Sequence, residues 1–370
     1  MTNQKESSAV PMKMIPAGKD YLWGGERLKQ EFGKQIDLTP LAETWECSTH
    51  PDGLSRVQCN KKDFQNGFLS EKSSQADSVP QDNSLYPTLK DILAHHPEYY
   101  GSHPFAFMKE DVAKGELPIL VKWIDAAKDL SVQVHPDDEY AMLHENGQRG
   151  KTEMWYVVDA KPDTSLVYGF RRTVSRDLVK REILSNRLDT YLQKVPVKKN
   201  DVFFIPAGTV HAIGKGSLLV EVQENSNLTY RLFDYHRKGP DGKERQLHVE
   251  KALDVANLKE AKTPRQPLRT LRYRPGMASE FLCRCKYFEV QRLLIHTRKD
   301  ESQKDKTLPL SIPYRTQETS FHVLICIEGE GVLSYKNVNL SFRQGDTFFV
   351  PADSVKIMLC GSACFLDVNC

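Results

Sequence analysis

The spacing of apolar residues changes along the chain, and each change predicts a different element. The first 60 residues hold short apolar pieces punctuated by Gly and Pro, as in Tyr21-Leu22-Trp23-Gly24-Gly25. Arg27–Phe32 is rich in helix formers and is followed by Gly33, which predicts a short helix. Leu85–Tyr100 has a helical pattern with Thr88 as its N-cap. From Leu117 the period shortens. Leu117–Ile124 is an almost unbroken apolar run. In Leu130–His135, Leu130, Val132 and Val134 point one way, and Ser131, Gln133 and His135 the other. Glu153–Val158, Ser165–Tyr168, Asp201–Ile205 and Leu218–Gln223 read as further strands. Between them, Arg176–Gln193 carries Leu178, Ile183, Leu184, Leu188 and Leu192 at helical spacing. A Lys/Pro/Gln-rich piece at 258–267 reads as a linker, and only strand signals follow: Phe288–Ile295, His322–Ile327, Gly331–Tyr335, Thr347–Val350 and Cys364–Val368. Many short strands joined by turns predict a mainly β chain of two jelly-roll β-barrels with accessory helices.

An internal repeat supports two barrels. Asp201-Val-Phe-Phe-Ile-Pro-Ala-Gly-Thr-Val-His211 aligns without a gap on Asp346-Thr-Phe-Phe-Val-Pro-Ala-Asp-Ser-Val-Lys356, at a constant offset of 145. His211 in the first copy is Lys356 in the second. The chain therefore divides into an N-terminal unit, 1–267, with a helical insertion, and a C-terminal unit, 268–370, as a degenerate barrel lacking the histidine. Within the first unit, residues 70–84 are polar and Ser-rich and read as a mobile loop, because they bury too little surface to offset ordering entropy.

Composition narrows the function classes. At 370 residues, about two domains are expected. Lys+Arg is 51 and Asp+Glu 49, a net charge of +2 that argues against nucleic acid or an anionic membrane as the main partner. No stretch approaches the ~20 apolar residues of a membrane span, and the N-terminus lacks the apolar segment of a signal peptide. The eight cysteines form no CxxC pair, so reduced thiols and a cytoplasmic location are expected.

The candidate chemistry lies in the first barrel. Gln133 and His135, at i and i+2, share a strand face; Glu153 opens one strand, and His211 ends the first copy of the repeat. One amide, one carboxylate and two imidazoles on neighbouring strands can form a divalent metal site. Imidazole suits zinc, iron or copper, and carboxylate and amide oxygens accept zinc or harder ions.

These stretches make the chain similar to the type I mannose-6-phosphate isomerases, in their shorter bacterial form. The matching residues are Leu22–Gly25, Glu43–Gly53, Lys122–Asp138 (with Val134-His-Pro-Asp137), Gly150–Tyr156, Phe204–Ile213 (with Pro206-Ala-Gly-Thr-Val-His211) and Glu221–Arg237. They run in family order from about residue 15 to 240, whereas residues 270–370 match weakly. The resemblance implies two cupin-like barrels and one Zn2+ per chain, held by His135, Glu153 and His211 with Gln133 as a fourth ligand. It implies a catalytic Arg231, places Lys122 and Glu221 at active-site positions, and puts His50, a candidate substrate-binding residue, in the matching Thr49-His-Pro block. The implied reaction interconverts D-mannose 6-phosphate and D-fructose 6-phosphate through an enediol. A small phosphosugar is then the partner, and the chain is expected as a monomer or weak homo-oligomer. One departure matters: many longer members carry a Lys after the His-Pro, where this chain has Asp138.

Elementary chemistry assigns roles within that set. Arg231 stays charged and offers a planar fork of donors, so it suits an enediolate or a phosphate and is a poor base. The base is Glu221, or Lys122 with a lowered pKa; sequence leaves both open. No P-loop is present, so side-chain cations must hold phosphate, and Arg149 and Lys151 beside Glu153 are candidates. Two competing readings are an iron(II) cupin dioxygenase, which uses two His and one carboxylate, and a sugar-phosphate-binding regulator without catalysis.

Overall fold

The computed structural model describes residues 9–58, 86–239, 242–262, 264, 266, 268–298 and 309–370. The stretch 70–84 lies outside them. The strands of the described residues form three antiparallel sheets. A six-stranded sheet has the order Val202–Ile205, Glu153–Ala160, Ser217–Glu224, Ile119–Asp125, Glu43–Cys47, Ala17–Lys19. A five-stranded sheet has the order Tyr230–Phe233, Val132–Val134, His211–Ala212, Ser165–Phe170, Leu192–Pro196. A ten-stranded sheet holds every strand after residue 270. It also takes in Met12–Ile15, which pairs with both Thr347–Val350 and Arg56–Gln58. The N-terminal strand thus completes the C-terminal sheet.

The six-stranded sheet is covered on both faces. Its even-numbered residues Met154, Tyr156, Val158, Val220 and Val222, with Val121 and Trp123, pack against Val290, Val323, Ile325, Phe349 and Leu366 of the C-terminal half. Its opposite residues Trp155, Val157, Leu219 and Ile124 pack against Leu166, Val195 and Ile213, on or beside the five-stranded sheet. Burial on both sides explains why Leu117–Ile124 reads as a continuous apolar run: every residue of Ile119–Asp125 is buried. The far face of the five-stranded sheet uses Val132, Val134, Val167, Tyr230 and Leu232 to pack on Val179 and Ile183 of helix Arg176–Leu184 and on Ala252 and Leu253 of helix Val249–Val255.

Helical capping follows the sequence. Thr88 accepts a hydrogen bond from the Asp91 amide and opens helix Leu89–His95, and Ser175 caps Arg176–Leu184 through the Leu178 amide. The 176–193 helix is shorter than its periodicity suggests. It stops at Leu184, Asn186 takes a left-handed conformation with φ 53°, and Leu188–Tyr191 is a single 3-10 turn. Leu192 then enters a strand, so its apolar spacing served burial rather than helix continuation. His322–Ile327 and Gly331–Tyr335 are one strand, His322–Tyr335, bent by a register shift between Cys326 and Glu328. No helix among the described residues is long and apolar enough to cross a membrane, and the described cysteines are free thiols.

The repeat has a structural counterpart. In the first copy Ile205 pairs with Glu153, and in the second Val350 pairs with His322. His322 therefore occupies the lattice position of Glu153. Two residues further along each strand, Trp155 pairs with Glu221 and Leu324 with Asp367.

A buried ion pair of the N-terminal half is tied to the C-terminal half by a hydrogen bond. The Lys34 ammonium lies 2.6 Å from the Glu46 carboxylate, which is fully buried. Thr44 donates to Glu46 at 2.6 Å, and Thr347 from the C-terminal half donates at 3.0 Å. Removing one partner strands the other in a low-dielectric interior. Glu46→Ala is expected to destabilise the fold by about 3–5 kcal/mol, read as a lower urea midpoint; an unchanged midpoint refutes this role.

Candidate metal centre and active-site cleft

Strand alternation aims both sheets at one interior. On the six-stranded sheet, Glu153 shares its face with Trp155, and Trp45, Lys122, Glu221, Trp155 and Phe203 are direct cross-strand partners in sequence across five strands. On the five-stranded sheet, Gln133 pairs with His211 on one side and Arg231 on the other. The apolar neighbours of Gln133 and Arg231 turn to the helices, so these polar residues turn inward. His135 follows its strand directly. Pro136 stops the pairing, and Asp137 accepts from the Tyr140 amide at 2.9 Å to start helix Asp138–His144.

His135, Glu153 and His211 converge with ligand atoms all within 4.8 Å of one another, and all three are buried. His135 Nε2 lies 3.3 Å from Glu153 Oε1, and His211 Nε2 lies 3.5 Å from Glu153 Oε2. Each imidazole is oriented from behind. His135 Nδ1 donates to the Leu228 carbonyl and His211 Nδ1 to the Thr209 carbonyl, both at 2.8 Å. That fixes the tautomer that leaves Nε2 unprotonated and aimed at the shared point, the arrangement metal-binding histidines require. Burial holds both imidazoles neutral, pushing His135 down to about 3 and lowering His211. Gln133 Nε2 lies 3.3 Å from His211 Nε2, and a half-turn of its amide presents the oxygen instead. Apart from the Lys151 ammonium, which pairs with Oε1 at 2.6 Å, neither oxygen of Glu153 has a hydrogen-bond donor. Burial favours a protonated Glu153, but Lys151 and the two histidines outweigh it and hold the carboxyl well below its usual range. A buried carboxylate short of hydrogen bonds, flanked by two imidazole lone pairs, fits a divalent cation. Among the described residues no other such group occurs.

A cleft of about 290 Å³ opens beside this group. Gln133 and Lys151 lie at its metal end, Lys122, Glu221 and Glu43 along one wall, and Arg231 and Arg245 along another. Lys122 sits 3.1 Å from Glu221, 4.0 Å from Glu43 and 5.0 Å from the Trp45 ring centre. Burial favours the neutral amine, but Glu221, Glu43 and Glu153 outweigh it and push the pKa up. The lowered pKa considered from sequence is therefore replaced by a raised one. Trp155 Nε1 donates to Glu221 Oε2 at 2.8 Å and lays its ring edge-on to His211 at 5.3 Å. Trp45 donates likewise to Glu43 at 2.8 Å.

The remaining sequence candidates have other partners. Arg149 is paired with Asp111 and does not line the cleft. Lys151 points at Glu153 and lies 3.3 Å from His135 Nε2. His50 is half-buried beside Trp45, accepts from the Asp52 amide, and is likewise absent from the lining. Asp138 binds the C-terminal half, accepting from Tyr287 Oη at 2.7 Å and from the Gly150 amide at 3.1 Å. Sequence reasoning passed over Trp155, Trp45 and Arg245. The i, i+2 relation to Glu153 was a usable signal for Trp155; Arg245 lies in an aperiodic loop that offers none.

The family models that match are mannose-6-phosphate isomerase, cupin domain, over residues 313–368 and phosphomannose isomerase type I, catalytic domain, over residues 71–163. The mannose-6-phosphate isomerase ManA of Bacillus subtilis is 34% identical over 346 residues, covering 92% of this chain and 93% of that protein. A mannose-6-phosphate isomerase of Streptococcus mutans is 32% identical, covering 89% of each. A solved mannose 6-phosphate isomerase from Bacillus subtilis superposes with a TM-score of 0.78 at 28% identity, covering 97% of this chain and 99% of that one. A mannose 6-phosphate isomerase structure bound with zinc and yttrium shares the fold, with a TM-score of 0.66 at 17% identity and 97% and 99% coverage.

His211→Ala removes one of the two imidazoles, and bound divalent metal measured by elemental analysis is expected to fall at least ~10-fold. Retained stoichiometric metal excludes His211 from the centre.

Proposed function

The chain belongs to the type I mannose-6-phosphate isomerase family, and from that premise we propose that it interconverts D-mannose 6-phosphate and D-fructose 6-phosphate through an enediol at a zinc centre. The observation carrying this is the buried His135–Glu153–His211 group beside a cleft lined by the carboxylates of Glu43 and Glu221 and by the guanidinium of Arg231, which has no ion-pair partner among the described residues. His135, Glu153 and His211 would hold the zinc, with the amide oxygen of Gln133 as fourth ligand. The choice of zinc rests on two imidazoles and one carboxylate as donors. When bound, it supplies Lewis-acid polarisation of the substrate oxygens.

The chain's own residues carry the proton. Isomerisation moves one proton from C2 to C1 and a second from O2 to O1. Glu221 takes the first from C2 of the open-chain aldose, and the electron pair forms the C1=C2 enediol. The same carboxyl returns the proton to C1 while the O2 hydroxyl proton passes to the adjacent O1, so C2 becomes the ketone and C1 the primary alcohol. Trp155 and Lys122 fix Glu221 between them, one on each carboxylate oxygen. Lys122 acts as an ammonium: it donates to a substrate oxygen and does not serve as the base. Arg231 stabilises the oxyanion that develops on the enediol. Its Nη1 donates to the Gln246 carbonyl at 2.9 Å, and its Nε has no partner. The 1–267 unit carries the chemistry, and 268–370 covers the back of the six-stranded sheet.

A coupled assay on mannose 6-phosphate is expected to show turnover that a chelator abolishes and zinc restores. No turnover in the metal-loaded protein rejects the reading. Arg231→Ala is expected to keep its metal and lose kcat by ~10²–10³-fold, and Glu221→Gln to lose ~10²–10⁴-fold. Near-normal kcat in either variant removes that residue from its role.

A further inference from the structure

We infer that Arg245 is the anchor for the substrate's phosphate group, with Arg231 on its inner side. This rests on the sugar-phosphate reading above and assigns a subsite within it. The cleft has two electrostatically different ends. At the inner end the cation Lys122 is already committed to Glu221 and Glu43. At the other, Arg237 and Arg245 both pair with one carboxylate, Asp234, and Arg231 lies near them. Among the described residues Arg231 has no carboxylate in ion-pair range, so this end carries excess positive charge.

Arg245 is held for binding. Its Nε and Nη2 grip the two oxygens of the buried Asp234 at 2.8 and 2.6 Å, which fixes the guanidinium plane. The remaining N–H groups, on Nη1 and the outer side of Nη2, are left for a ligand in the cleft that Arg245 lines. A planar fork of donors matches a phosphate monoester. The direction is also right. Gln133, at the metal centre, is the cross-strand partner of Arg231, and Arg231 donates to the carbonyl of Gln246, next to Arg245. The series Gln133, Arg231, Arg245 therefore runs outward from the reacting end. The two phosphate candidates chosen from sequence are committed elsewhere, Arg149 to Asp111 and Lys151 to Glu153.

Arg237 also grips Asp234, with its Nε at 3.1 Å, and does not line the cleft. Removing Arg245 therefore leaves Asp234 neutralised, and Arg237→Ala serves as the control. In the zinc-loaded full chain, Arg245→Ala is expected to raise KM for mannose 6-phosphate ~10–100-fold with kcat within ~3-fold. Competitive inhibition by inorganic phosphate should weaken by a similar factor, and metal content should not change. Arg237→Ala should move KM and the phosphate inhibition constant by less than ~3-fold. A KM and inhibition constant near wild type in Arg245→Ala, or equal losses in Arg237→Ala, overturn the assignment. If Arg245→Ala does not fold, Arg245→Gln is read against the same outcomes. If the wild-type chain shows no turnover, the isomerase reading fails, and calorimetric titration of inorganic phosphate decides Arg245 by itself. Binding to wild type that is lost in Arg245→Ala supports the anchor; equal binding or none overturns it.

Discussion

The six-stranded sheet is closed on both faces, and the rest of the molecule follows from that. A strand sends alternate side chains to opposite sides. With the C-terminal sheet on one side and the five-stranded sheet on the other, every second residue of Ile119–Asp125, Glu153–Ala160 and Ser217–Glu224 enters an interhalf core. The others enter the space where the polar groups meet. Slipping any of these strands by one residue would send Lys122, Glu153 and Glu221 into the apolar core and Trp123 and Val220 into the cleft.

Burying this many charges is tolerable because each has an opposite partner at short range. Glu153 has Lys151 and faces two neutral imidazoles; Lys122 has Glu221 and Glu43; Lys34 has Glu46. The indole N–H groups of Trp45 and Trp155 each satisfy one further carboxylate oxygen. Such networks hold side chains in one geometry, which a proton transfer between adjacent carbons requires. The arginine cluster at the outer end is the exception to the pairing, since Arg237 and Arg245 share Asp234 and Arg231 has no ion-pair partner among the described residues.

The second copy of the repeat shows what was not kept. Its backbone register repeats that of the first, yet His322 stands where Glu153 does, Asp367 where Glu221 does, and the exposed Lys356 where His211 does. His322 Nδ1 instead lies 2.6 Å from Asp367, which also accepts from Tyr314 at 3.0 Å. Burial favours a neutral imidazole, but Asp367 outweighs it and raises the His322 pKa. The same lattice thus holds a closed ion pair in one half and an open set of donors in the other. The C-terminal half contributes through contacts instead, including Tyr287 on Asp138 beside the His135 turn.

Much of this was legible in the chain. Period-2 alternation located the strands and placed Gln133 and His135 on one face. The repeat located the second copy and its lost histidine. The motif blocks named the residues that converge. What alternation cannot state is which strands are neighbours, because pairing joins residues far apart in sequence. Three outcomes were therefore decided by tertiary structure. Lys122 lies opposite Glu221 and beside Glu43, which reverses the direction of its pKa shift. Arg149 turns to Asp111 and leaves the cleft, whereas Arg245, from an aperiodic loop, is fixed at its wall by Asp234. The strand Met12–Ile15 joins the sheet at the opposite end of the chain. The sequence by itself determined which side chains face together along each strand, because that depends on local geometry alone. Their charges, partners and distances depend on what the fold brings opposite them.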